Sequence, residues 1–209
     1  MNFYDCATAP SPRRVRIFIA EKQLDIPTVQ VDLRAGEHLK DEFRAINPHA
    51  TVPVLELDDG TTLLDSNSIS IYLDEAFPEP NLMGRDATEK AVIAGWNRFA
   101  EWEGLAAAAE CLRNSAKGMK GRAITGPVSY EQIPDLAERG RQRAHHFINE
   151  LNARLTDSAF LAGDRFTVAD ITAVVAVDFM KWIKVEAPED AYGLKRWYSD
   201  VCLRPGVVN

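Results

Sequence analysis

Apolar positions change their spacing along the chain, and the change divides it. Residues 2–5 open as a short strand-like run. Residues 12–22 then place Val15, Ile17, Phe18 and Ile19 in a pattern suited to a helix packed on a sheet, with Leu24 following. Residues 28–33, TVQVDL, alternate and are β-branched, which predicts a second strand. Residues 38–46 read as a short amphipathic helix ended by Asn47-Pro48, because the residue before a proline avoids helical geometry. Residues 52–57 and 61–64 are apolar runs parted by Asp58-Asp59-Gly60, a turn signal that predicts an antiparallel hairpin. Helical spacing returns over residues 66–77. The order βαβ-α-ββα predicts an α/β domain, a mixed four-stranded sheet with helices on its faces.

Strand patterning then stops. Residues 77–86, FPEPNLMGRD, hold two prolines and a glycine and show no usable period. We therefore expect a sheet domain over residues 1–78, a linker over 79–86 and an all-helical domain over 87–209. Within the last, helical stretches are expected over 87–115, 130–155, 167–184 and 194–203, separated by segments containing Gly and Pro.

Bulk properties narrow the function. The 209 residues are 46% hydrophobic and 26% charged, enough apolar material for a substantial core under a polar surface. A net charge of −7 and a pI of about 5.2 weigh against nucleic acid or an anionic membrane surface as partner. No apolar stretch approaches a membrane span, and MNFYDCATAP lacks the layout of a signal peptide, so a cytoplasmic location is expected. Cys6, Cys111 and Cys202 are odd in number and widely spaced, which fits reduced thiols and neither a disulfide framework nor a metal site.

Asn47-Pro48-His49-Ala50-Thr51-Val52-Pro53-Val54-Leu55, then Asp58-Asp59-Gly60, then Leu64-Asp65-Ser66-Asn67-Ser68-Ile69 with Tyr72-Leu73, form an ordered series of motifs. The series resembles the N-terminal domain of glutathione transferases. Upstream, Pro12-Arg13-Arg14-Val15-Arg16-Ile17 is similar to that family's first helix, and Gly36-Glu37-His38-Leu39 to the second-helix region of its theta-like members. Downstream, Phe160-Leu161-Ala162-Gly163-Asp164 and Thr167-Val168-Ala169-Asp170-Ile171 resemble its C-terminal folding motif. The resemblance implies a thioredoxin-like N-terminal domain that binds glutathione as co-substrate, without metal. It also implies an all-helical C-terminal domain that receives a hydrophobic electrophile, and a homodimer.

Carried over by position, the resemblance makes Pro53 cis, so that the backbone of Val52 pairs with the cysteinyl backbone of glutathione as an added strand. It gives the γ-glutamyl carboxylate to Ser66, the γ-glutamyl amine to Asp65 and the glycyl carboxylate to His38, with Lys40 beside it. Asp65-Ser66 before a helix also reads, without the resemblance, as a cap and an anion site. Thr51 stands where family members often have lysine.

Thiol activation departs from the family pattern, because the usual serine position falls on Ala9. A free thiol of pKa about 8.5 is a few per cent thiolate at neutral pH, and lowering it by two units needs roughly 2.7 kcal/mol, within reach of one or two donors. Ser11 is the first candidate donor and Thr8 the second, with Cys6 and Tyr4 nearby. Ser11-Pro12 equally reads as a helix cap with proline at the first helical position. Cys6 would favour glutathione-dependent disulfide reduction, and the departure at Ala9 leaves a non-catalytic binding protein as a third reading. In the helical half, Trp96, Phe99 and Trp102 recur at helical spacing. Such a stripe is more often core than pocket; the resemblance turns this helix towards the glutathione sulfur and favours Phe99 and Trp102 over Trp96 for the second-substrate pocket. Thr167 to Asp170 reads as a capping box that serves folding.

Overall fold

In the N-terminal part of the chain, strands and helices follow in the order the pattern predicts. In this computed structural model, which describes residues 1–208, contacts divide the chain into two units, and the last residue of the expected helical domain, Asn209, lies outside the described residues. One unit comprises Met1–Pro80 with Thr125–Val128; the other comprises Asn81–Ile124 and the residues after Val128.

The first unit runs β1 (Asn2–Asp5), α1 (Pro10–Glu21), β2 (Thr28–Gln30), a 3₁₀ turn (Glu37–Leu39), α2 (Asp41–Ile46), β3 (Val54–Glu56), β4 (Thr62–Leu63) and α3 (Ser66–Ala76). Its sheet has the order β2-β1-β3-β4, with β1 parallel to β2 and antiparallel to β3, and β3 antiparallel to β4. This is the mixed four-stranded sheet expected. The parallel pair needs a crossover, which α1 supplies; the antiparallel pair needs only a turn, where Gly60 takes φ +85. Val31, Phe43 and Val54 form a buried cluster, with Tyr4, Ile46 and Val52 packed against it.

Three boundaries differ from expectation. Helix α1 starts at Pro10, so Pro10 takes the first helical position, extended Ala9 is the cap, and Ser11 lies inside the first turn. Strand β2 stops at Gln30, because Asp32 Oδ1 accepts the N–H groups of Arg34 (2.8 Å) and Ala35 (2.9 Å) and turns the chain. The helix expected over 38–46 is split by Lys40, which is extended.

At the far end of α1, Lys22 is buried. Its Nζ meets Asp74 Oδ1 (2.7 Å), Phe77 O (2.6 Å) and Pro80 O (2.9 Å), one acceptor for each ammonium hydrogen.

The second unit is helical: α4 (Ala87–Phe99), a π-helical segment (Ala100–Leu105), α5 (Ala106–Ser115), α6 (Pro134–Thr156), α7 (Val168–Met180), α8 (Tyr192–Val201) and a last turn α9 (Pro205–Val208). Residues 168–177 of α7 are all buried, as suits a helix surrounded by others. Helix α6 begins later than the pattern suggests, because Ile133 before Pro134 is extended. Gly140 lets α6 approach α5 closely; a Cβ there would lie 2.7 Å from Ala107 O and Cys111 N.

The capping box at the start of α7 is present, and Asp170 extends it. Its Oδ2 accepts Thr167 N–H (3.0 Å) and the Thr167 hydroxyl (3.1 Å), while Oδ1 accepts Leu161 N–H (3.0 Å) and Trp197 Nε1 (2.9 Å). Burial pushes its carboxyl pKa upward, against those four donors. The segment expected as a linker is tied to this unit: Arg165 bonds Asn81 O, Asn81 Oδ1 (2.8 Å) and Glu89 (2.6 Å). No described helix is long and apolar enough to cross a membrane.

Candidate functional site

Backbone groups without partners among the described residues lie just before β3 in the first unit. Asn47, fully buried, organises the turn that precedes them. Its Nδ2 donates to Thr51 O (2.8 Å) and Thr51 Oγ1 (3.1 Å), and its Oδ1 accepts from His49 N–H (2.9 Å). These bonds hold Ala50 at φ +51, an unusual conformation for a residue with a Cβ. The Val52–Pro53 peptide that follows is cis. Among the described residues, neither the N–H nor the C=O of half-buried Val52 has a hydrogen-bond partner. An N–H and a C=O left open on one residue can pair with the backbone of an extended peptide.

Asp65 caps α3, its Oδ1 accepting the N–H groups of Asn67 (2.9 Å) and Ser68 (3.0 Å). Its other oxygen, Oδ2, has no hydrogen-bond partner among the described residues, and neither has the Ser66 N–H. One uncommitted donor at a helix N-terminus, beside one uncommitted carboxylate oxygen, fits the two ends of an α-amino acid. The Ser66 hydroxyl is used elsewhere: Ser66 is buried, and its Oγ donates to Ser11 O at 2.9 Å, joining the first turn of α3 to that of α1. Ser11 itself is exposed.

The turn from β1 into α1 carries the other candidate donor. Thr8 is exposed, with its Oγ1 3.5 Å from Cys6 Sγ. Cys6 is only 7% exposed, a poor position for a thiol that must form a mixed disulfide. Tyr4 is a packing residue of β1, edge-on to Phe43. Its hydroxyl donates to Glu56 Oε2 (3.0 Å), and burial, then that carboxylate, raise its pKa. His38 lies half-buried in the Glu37–Leu39 turn, and Lys40 after it is exposed.

Sequence reasoning missed the residues that hold these groups in place. Asn47 was legible only as a helix stop before Pro48. Asp5, Arg16 and Gln30 stand 11 and 25 residues apart from Asp5 onward yet meet at the β1–α1 turn. No local spacing announces such a meeting.

In the helical unit, the aromatic stripe is broken by the π segment. A π turn takes up an extra residue, so Trp102 is rotated away from the face that Trp96 and Phe99 share. Phe99 packs on Trp96 (5.7 Å between centroids) and Phe147 (5.5 Å). Trp102 is 53% exposed, with the guanidinium groups of Arg98 (4.7 Å) and Arg143 (5.3 Å) against its ring. Gly104 in the same segment admits close contact, since a Cβ there would lie 2.9 Å from Ala176 and Phe147 side chains.

With this geometry in view, the comparisons are specific. Residues 3–81 match the glutathione S-transferase N-terminal domain family, and residues 111–205 match the glutathione S-transferase C-terminal domain family. The chain is 36% identical to glutathione S-transferase 2 of Saccharomyces cerevisiae, over 99% of this chain and 88% of that protein. Among solved structures, it is similar to a glutathione S-transferase domain-containing protein of Marinobacter aquaeolei, with a TM-score of 0.91, 41% identity and coverage of 99% and 100% of the two chains. It is also similar to Gtt2 of Saccharomyces cerevisiae, with a TM-score of 0.90, 36% identity and coverage of 100% and 99%.

Proposed function

Because the chain belongs to the glutathione S-transferase family, we propose that it conjugates the thiol of reduced glutathione to electrophilic small molecules, using the site just described. The observation that carries the reading is the Val52 backbone, whose N–H and C=O lack partners among the described residues. Glutathione lies with its cysteinyl backbone on Val52 beside cis Pro53 and Thr51. Its γ-glutamyl carboxylate sits at the Ser66 N–H, its amine at Asp65 Oδ2 and its glycyl carboxylate towards His38.

A hydroxyl of Thr8 or Ser11 donates to the sulfur and favours the thiolate, the thiol proton passing to water. The thiolate then attacks the electrophilic carbon. A C–S bond forms and the leaving group departs with its electron pair, or the electrons move into the acceptor double bond. The N-terminus of α1 adds a favourable field of up to ~1 kcal/mol. Apolar surface for the electrophile comes from Phe99; Trp102, turned off that face by the π segment, does not share it. An exposed small-residue and apolar stripe on α4, Ala91, Val92, Ala94 and Gly95, supports a symmetric dimer, and the protein works in the cytoplasm.

Calorimetric titration with reduced glutathione tests the binding mode. Asp65→Asn keeps the capping oxygen but loses the charge facing the amine, and is expected to weaken binding about tenfold, ~1.4 kcal/mol. Absence of binding by the unaltered protein would sink the reading.

A further inference from the structure

The turn between β1 and α1 is held by side chains from three elements. Asp5, at the end of β1, is 1% exposed. Its Oδ1 accepts from Arg16 Nη1 on α1 (2.5 Å), and its Oδ2 from Gln30 Nε2 on β2 (2.7 Å). Both partners then reach the turn itself. Arg16 Nη1 also donates to Cys6 O (3.3 Å), and Arg16 Nη2 to Ala7 O (3.0 Å). Gln30 Oε1 accepts the Ala7 N–H (3.0 Å), and Ala9 N–H closes on Cys6 O (2.9 Å).

Four backbone groups of the turn are thereby committed. Among the described residues the Thr8 N–H has no acceptor, and the hydroxyl's one neighbour is the Cys6 sulfur. An exposed N–H and O–H on one residue, in a turn whose flanking backbone is fixed, make a pair of donors suited to an anion such as a thiolate.

We propose that Arg16, together with Asp5 and Gln30, is a positioning residue for thiol activation: it fixes the Cys6–Ala9 turn so that the Thr8 N–H and hydroxyl meet the sulfur of glutathione. This rests on the reading above that glutathione is ionised at this turn, and it selects Thr8 as the principal donor. In the ionisation the S–H bond breaks, the proton leaves to water, and the thiolate gains the two Thr8 hydrogen bonds. The planar guanidinium is suited to the task because it donates to a carboxylate and to two carbonyls at once, in fixed directions, which an ammonium does not.

The test is an ultraviolet titration of the thiolate of protein-bound reduced glutathione against pH. The wild type is compared with Thr8→Ala, Arg16→Met, Arg16→Lys, Gln30→Met and the Thr8→Ala/Arg16→Met pair. Arg16→Met and Thr8→Ala are each expected to raise the bound thiol's pKa by about one unit, tenfold less thiolate at neutral pH. The double variant should go no further than the worse single one, because Arg16 acts through Thr8. Arg16→Lys should recover part of the shift. Gln30 is exposed, so Gln30→Met carries the test should Arg16→Met not fold, with a smaller shift of the same sign.

A depressed wild-type value left unmoved by Arg16→Met or Gln30→Met, or additive shifts in the pair, overturns the positioning role alone. A wild-type complex whose thiol titrates as in free solution overturns the underlying reading and the proposal with it.

Discussion

Asp5 in the first unit and Asp170 in the second are both withdrawn from water, and the two are satisfied in opposite ways. Asp170 meets four neutral donors, three from its own neighbourhood at the start of α7 and one from Trp197. Asp5 meets a guanidinium and an amide, and both of those go on to bind a surface turn. A carboxylate ringed by neutral donors pins helix ends together and stops there. One paired with a forked cation hands its constraint to the cation's remaining N–H groups. The first arrangement serves architecture, while the second, on the proposal above, serves chemistry at the surface.

Substitution of Asp170 should give the largest effect. In Asp170→Asn the amide nitrogen must face a donor where Oδ2 accepted two, leaving buried groups unsatisfied, and a loss of about 3 kcal/mol in urea unfolding is expected. The glutathione thiol titration of whatever folds should be unchanged. Asp5→Asn is predicted to cost less, about 1 to 2 kcal/mol, because Arg16 keeps some access to water. That variant should nonetheless shift the bound-thiol titration. If the two variants traded these signatures, the contrast would collapse.

A third, smaller effect sets two carboxyls of the helical unit apart by pH. The hydrogen bonds of Glu89 with Arg165 and with the Arg85 N–H lower its pKa below the ordinary 4.5. Stability from a depressed carboxyl is present above 4.5 and is lost as pH falls through the folded value. Burial does the reverse to Asp170, raising its pKa above 3.8, so its ionisation works against the fold as pH rises from 3.8 through the folded value. Glu89→Gln should therefore flatten the acid-side loss of stability in the helical unit, read by urea unfolding between about pH 5 and pH 3, by a few tenths of a kcal/mol.

Local signals made much of this molecule legible. Alternation in TVQVDL, the Asp58-Asp59-Gly60 turn and Asp65-Ser66 before a helix each announced an element that is present. What escaped was decided at a distance. With prolines at 10 and 12, the sequence offers two helix starts, and extended Ala9 settles the matter in favour of Pro10. AEWEGL reads as ordinary helix; its π turn contains Gly104, packed on Ala176 and Phe147, residues more than forty positions away. The expected roles of Asp65 and Ser66 depend on which of their atoms are already bonded, and the Ser66 hydroxyl is engaged by a carbonyl 55 residues earlier.

Lys22 sets a rule for dissecting the protein. Its ammonium uses the carbonyls of Phe77 and Pro80 as well as Asp74. A gene fragment ended after Pro78 would strand one hydrogen of a buried cation, and its product would be a poor witness to what the isolated sheet half can do. A fragment ended beyond Pro80 keeps all three acceptors, and is where a split-protein reporter or a domain graft should be cut.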